Sequence, residues 1–248
     1  MSAAKELRLG TGASATAILG LGSAQPERVV TNDELASRMD TSDEWIVERV
    51  GISERRFGGP QDTLLGMAVA AGSKALADAG LTPSDVDTVI VATCTLEAPI
   101  PNAAAQVADE IGMRAAGAFD LNSACAGFCY GLGVGSDLVR AGSANRVLVI
   151  GSEKLTDWVD PMDRSTAIIF ADGAGAAVVG PAEKPGIGPV AWGSAGDLAE
   201  TITIADRNSM LHQEGQSVFR WATTKIAPIA FQALELAWLE PSDVDVFI

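Results

Sequence analysis

The chain has 248 residues, 48% hydrophobic and 20% charged, enough to bury a sizeable core in one large domain or two fused halves. Its formal net charge of −15 repels phosphate backbones and excludes nucleic acid as the expected partner. No signal-like apolar segment opens the chain and no window holds the roughly 18 apolar residues of a membrane span. With three cysteines outside any spaced framework, at 94, 125 and 129, the expectation is a reduced, cytoplasmic protein without a membrane partner.

Residues 1–14, polar and small, are expected to form a loose tail. Ala15 to Leu21 reads as a strand ended by Gly22-Ser23. Thr31 opens a short helix, and Thr41 with Glu44 stands at capping-box spacing before another. Thr63 to Ala79 carries helical periodicity and Gly80 stops it. Val86 to Thr93 is an apolar run suited to a strand buried on both faces. Asn102 caps a helix to Ile111, Ala116 to Leu121 is a strand, Cys125 to Ala141 a helix and Arg146 to Ile150 a strand. Further on, Ala176 to Val179 is expected to pair with Val190-Ala191-Trp192. Strands alternating with helices give an α/β layered fold.

Cys125 stands where an apolar run gives way to small residues and then to a helical pattern, in Phe119-Asp-Leu-Asn-Ser-Ala-Cys125-Ala-Gly-Phe128. A thiol at such a strand-to-helix turn faces the positive end of a helix, which favours the thiolate, the nucleophilic form. Small neighbours let a substrate carbonyl approach. An inert buried thiol is the alternative, and the flanking residues favour the nucleophile. Cys94 and Cys129 read as core packing, and no paired His or Cys set supports a metal.

An internal repeat is also legible. Leu81-Thr-Pro-Ser-Asp-Val-Asp-Thr-Val-Ile90 returns as Leu239-Glu-Pro-Ser-Asp-Val-Asp-Val-Phe-Ile248, with Ala75, Leu76 and Ala79 matched by Ala233, Leu234 and Ala237. One helix-to-strand connection used twice would give as much. Agreement through helix, turn and strand favours a duplicated domain, divided as 15–184 and 185–248.

Taken together, the motifs resemble β-ketoacyl-acyl-carrier-protein synthase III, of the thiolase-like fold. The resemblance rests on the Cys125 segment, on Asp40-Thr-Ser-Asp-Glu-Trp-Ile46 through Arg49, Gly51-Ile52 and Arg55, on Gly151-Ser152-Glu153, on Asp163-Arg164 with Phe170-Ala-Asp-Gly-Ala-Gly-Ala176, and on Gly215 with Val218-Phe219. It implies duplicated βαβαβαββ layers, with the second half incomplete at Ile248, and a homodimer. It implies a two-step reaction without a resident cofactor: acyl-CoA, as substrate, primes Cys125, and malonyl-acyl carrier protein then condenses with loss of carbon dioxide. A starter-unit ketosynthase of polyketide synthesis and a non-catalytic acyl-binding partner are the alternatives. The family's His and Asn are expected beyond Ile248, and His212 is not that His.

The same resemblance assigns further residues. Trp45 and Arg164 would sandwich the CoA adenine, with Thr41 nearby, and Arg49 would meet a CoA phosphate. For Thr41 a helix-cap role is by itself a sufficient explanation. Gly215 and Phe219 would line the pantetheine path, and Arg220, with Lys225, would attract an acidic carrier protein. Leu155 and Phe170 would line the acyl pocket, which Ile100 would close from the partner subunit. Ordinary packing or a solvated charge would account for each of these positions individually.

Overall fold

The computed structural model describes residues 10–248, so residues 1–9 of the expected tail lie outside it. Strand β1 (Thr16–Ala24) is followed by a small lobe of β2 (Val29–Thr31), α1 (Asn32–Ala36), α2 (Asp43–Val50) and β3 (Glu54–Arg56). The layered body continues with α3 (Leu64–Asp78), β4 (Thr88–Ala92), α4 (Ala103–Ile111), β5 (Gly117–Leu121), α5 (Gly127–Ala141), β6 (Val147–Lys154) and β7 (Asp172–Pro181). The short pair β8 (Ile202–Thr203) and β9 (His212–Gln213) precedes α6 (Gly215–Leu236).

Five strands form one sheet in the order β1-β7-β6-β4-β5. The three strands β6, β4 and β5 run parallel, and β7 is antiparallel to both β6 and β1. Without its lobe, the order β1-α3-β4-α4-β5-α5-β6-β7 is the expected βαβαβαββ unit. The apolar run in β4 buries both faces because side chains alternate: Val89 and Val91 pack under α3 and α4, and Ile90 packs under α5.

Glycines set how closely the layers approach. A Cβ at Gly22 would lie 2.1 Å from the Ala71 carbonyl oxygen, so β1 rests directly on α3. One at Gly131 would lie 2.8 Å from Val149, which brings α5 down onto the sheet and its start to the carboxyl ends of the parallel strands.

Local signals landed unevenly. Thr63 caps α3, accepting from Gly66 N at 2.9 Å, and Gly80 adopts φ +66° after its end, as expected. At α2 the cap is Ser42, accepting from Trp45 N at 3.1 Å, and not Thr41. Asn102 occupies the cap position of α4, but its side chain does not cap: Asp120 accepts from Ala103 N and Ala104 N, both at 2.8 Å. A carboxylate serves two donors where one amide oxygen serves fewer. The expected pairing of Ala176–Val179 with 190–192 does not form. Those residues lie in β7, whose two edges are taken by β1 and β6.

The repeat is structural up to its last segment. Leu81 N bonds Leu76 O at 2.9 Å and Leu239 N bonds Leu234 O at 3.0 Å, and each Pro-Ser-Asp forms a 3₁₀ turn closed by a capping box. Gly80 and Trp238 share a left-handed backbone at the helix end, φ +66° and +58°. The strand expected after the second turn is not formed: Val246, Phe247 and Ile248 are exposed, with no partner strand among the described residues.

Candidate active site

Cys125 lies on a 3₁₀ turn, Ala124–Ala126, between β5 and α5. The turn is tight: Ala124 holds a left-handed φ of +44°, rare for a residue with a Cβ, and Ala126 N bonds Ser123 O at 3.1 Å. Gly127 then starts α5, and a Cβ there would come within 3.1 Å of Ala92. The thiol is exposed and sits just ahead of the first turn of a 15-residue helix, the end at which backbone N–H groups stabilise negative charge. An accessible sulfur, small neighbours and an open face suit attack on a carbonyl carbon.

Across the strand ends, Glu153 organises the segment that borders this turn. Its Oε1 accepts from Cys94 N at 2.8 Å, and its Oε2 accepts from the hydroxyls of Thr93, at 3.2 Å, and Thr95. Thr95 in turn accepts from Lys154 N at 3.0 Å. Burial, with Glu153 alongside and Cys125 nearby, pushes the Cys94 thiol up to about 12, so Cys94 stays a neutral thiol. Two expectations for the other cysteines need correction. Cys94 lies two residues beyond β4, in this braced turn, and Cys129 is exposed on α5 and not packed in the core. In sequence Glu153 figures as the last residue of the Gly151-Ser152-Glu153 motif that follows a buried strand, with no sign of the donors it serves.

A second cluster forms where the lobe meets the segment that carries Arg164. The guanidinium carbons of Arg49 and Arg164 lie 4.6 and 4.7 Å from the Trp45 ring centroid, so two planar cations share one indole. Arg164 also donates to the Asp40 carbonyl at 2.7 Å. Beside it, burial works against the Asp163 charge, but hydrogen bonds from Thr166 and Ser165, with the His212 ring near, hold that carboxyl below the ordinary carboxylate range. Thr41 is half-buried, and its hydroxyl has no partner among the described residues.

Leu155 and Phe170 meet in one cluster, packed against Val159, Ala167 and Leu211. Ile100 does not join them in this chain: it is 84% exposed on the loop between β4 and α4. Gly215 begins α6 with open space around it, Phe219 is 70% exposed, and Arg220 is exposed one residue on. Phe219, Ile226, Phe231 and Phe247 line an apolar groove along α6. His212 pairs with Thr203 between β8 and β9.

Comparison with known proteins gives this geometry a family. Residues 119–196, which include Cys125, match the model of 3-oxoacyl-[acyl-carrier-protein] synthase III. A Streptomyces coelicolor protein named β-ketoacyl-[acyl-carrier-protein] synthase III 4 is 50% identical over 230 residues, 92% of this chain and 73% of that protein. The priming β-ketosynthase of the R1128 polyketide biosynthetic pathway superposes with a TM-score of 0.92 at 40% identity, covering 97% of this chain and 75% of that one. The Aquifex aeolicus 3-oxoacyl-[acyl-carrier-protein] synthase III superposes at 0.87 and 37% identity, covering 93% and 74%. Half its residues shared with a named synthase, over nearly its whole length, place the chain in the β-ketoacyl-[acyl-carrier-protein] synthase III family of acyltransferases, with their thiolase-like fold.

Proposed function

We propose that Cys125 is the acyl carrier of a decarboxylative condensation that starts fatty-acid synthesis. The Cys125 thiolate attacks the carbonyl of an acyl-CoA, the tetrahedral intermediate collapses, and the CoA thiolate leaves with the new thioester on the enzyme. Malonyl-acyl carrier protein then loses carbon dioxide. Its carbanion attacks the acyl-Cys125 carbonyl, releasing the thiolate and the 3-oxoacyl carrier protein. The single observation that carries this reading is an exposed thiol on a tight turn at the start of α5. Cys125 and the Trp45, Arg49 and Arg164 cluster serve the first half-reaction. His212, the one histidine of the chain, sits on β9 in a strand pair and is given no part in the second.

In this reading the Trp45, Arg49 and Arg164 cluster takes the nucleotide of CoA, with the half-buried Thr41 beside it, since an indole and planar guanidinium groups suit a purine face and phosphates. Leu155 and Phe170 bound the acyl chain. Gly215 and Phe219 lie along the pantetheine arm, while Arg220 offers a positive point to an acidic carrier. A second copy of the chain is the expected partner: β5 is an edge strand with Phe119 partly exposed, and Ile100 projects from the loop beside it. A starter-unit role in polyketide synthesis is a second reading, supported by the likeness to the R1128 priming β-ketosynthase. Release of free CoA in one burst, stoichiometric with protein and lost in Cys125→Ser, tests acyl transfer. CoA release unchanged by that substitution would overturn it.

A further inference from the structure

A buried polar relay runs beneath the Trp45 cluster. Arg55, on β3, is only 5% exposed and has no carboxylate partner among the described residues. Its Nη2 donates to Asn32 Oδ1 at 2.7 Å and to the Ile168 carbonyl at 3.1 Å, and its Nη1 donates to the Val30 carbonyl at 3.3 Å. Asn32, the first residue of α1, passes the connection on, donating to Asp43 Oδ1 and to the Ile52 carbonyl, each at 2.8 Å. Asp43 is the first residue of α2, two positions before Trp45. Ile168 lies four residues after Arg164, in the segment whose turn is built on Asp163.

The relay therefore joins the two elements that carry the opposed groups of the cluster, α2 with Trp45 and residues 163–168 with Arg164. Apolar packing of Ile46 and Ile168 with Val30 and Leu35 brings the same elements together but is non-directional. A guanidinium in fixed fork geometry sets an angle that greasy contacts leave soft. Burying a charge without an opposite charge costs stability, and the three acceptors that Arg55 satisfies offset part of that cost, so Arg55→Met is expected to lower stability as well as to loosen this angle.

We propose that Arg55 is a positioning residue for acyl-CoA: through Asn32 and the Ile168 carbonyl it fixes Trp45 relative to Arg164, so that the two meet the nucleotide in register. The proposal rests on the reading of that cluster as the nucleotide site. It requires that Arg55 matter for donors that carry the nucleotide and not for donors that lack it.

The test measures the rate of Cys125 acylation against concentration for two donors, acyl-CoA and the same acyl group on N-acetylcysteamine, which has no nucleotide. For Arg55→Met we expect the half-saturating acyl-CoA concentration to rise about tenfold, the loss of a hydrogen bond to a charged group. The limiting rate and the whole N-acetylcysteamine curve should stay put, and Arg55→Lys should fall between. Asp43→Ala cuts the relay at its exposed end, with an expected rise of about threefold, and decides the matter on the same criteria should Arg55→Met not fold. Equal losses with both donors would reduce Arg55 to a structural role and overturn the proposal. Unchanged acyl-CoA curves for both variants, with Trp45→Ala still raising the half-saturating concentration, would also overturn it while leaving the nucleotide site standing. No effect of Trp45→Ala would instead remove the nucleotide site itself, and the proposal with it.

Discussion

Arg164 and Trp45 stand in direct contact, guanidinium carbon to ring centroid 4.7 Å, with Arg164 held from behind by the Asp40 carbonyl. A flat base between them needs about 3.5 Å on each side. In the proposed nucleotide site a purine would enter between the two, with Arg164 shifting outward from the indole to close on the other face of the base. Trp45→Ala is expected to raise the half-saturating acyl-CoA concentration about tenfold, within the roughly 1–3 kcal/mol that base–aromatic stacking contributes. Titration of acylation rate against acyl-CoA checks this, and an unchanged curve would contradict it.

The three thiols should separate chemically. Cys125 and Cys129 are exposed, while Cys94 is half-buried and its thiol is raised to about 12. Brief treatment with iodoacetamide at about pH 8 should label 125 and 129 and leave 94 as free thiol, read by peptide mass mapping. The same group sets a stability trend. The unfolded chain loses this proton near its ordinary value of 9.0 and the folded one near 12, so the folded state binds the extra proton between them. Stability falls as pH rises through that window, and Cys94→Ala should flatten the alkaline decline.

Glu153 serves three donors in residues 93–95, the segment that borders the Cys125 turn, so its removal should be felt beyond its own strand. Glu153→Ala leaves a backbone N–H and two hydroxyls without their acceptor, an expected cost of roughly 1–3 kcal/mol. Glu153→Gln, which keeps one acceptor oxygen, should cost less. Chemical denaturation of the two variants beside the parent would show that order, and equal stabilities would contradict it.

Asp120 takes the capping role that Asn102 holds only by position. Asp120→Ala should therefore destabilise the protein by about 1 kcal/mol, the usual worth of a helix cap, and Asn102→Ala by less. Thermal melts of both variants test the assignment.

The contrast between Asp120 and Asn102 marks what the sequence could convey. Features carried by neighbouring residues were legible: the apolar run of β4, the Thr63 start and Gly80 stop of α3, the small residues around Cys125, and the repeated Pro-Ser-Asp turn. Features that depend on partners far along the chain were not. Asp120 caps a helix that starts 17 residues earlier, Glu153 braces residues about 60 positions away, and β7 pairs with β1 in preference to the nearer 190–192. Hydrophobic period reports which face of an element is buried and not against what. The Cys129 expectation failed for that reason, since its helix face meets solvent instead of the sheet. Arg49, Trp45 and Arg164 were grouped by resemblance, and their direct stacking was visible only in the folded lobe.

At the centre of the proposed function is one sulfur, Cys125, expected to accept an acyl starter from its thioester donor. Intact-mass measurement of the folded protein after incubation with a short acyl-CoA, followed by peptide mapping, tests this most directly. The prediction is a gain of one acyl group, located on Cys125, cleaved by hydroxylamine and missing from Cys125→Ser. An unmodified mass across a range of acyl-CoA primers, or an adduct borne by Cys94 or Cys129 instead, would contradict it.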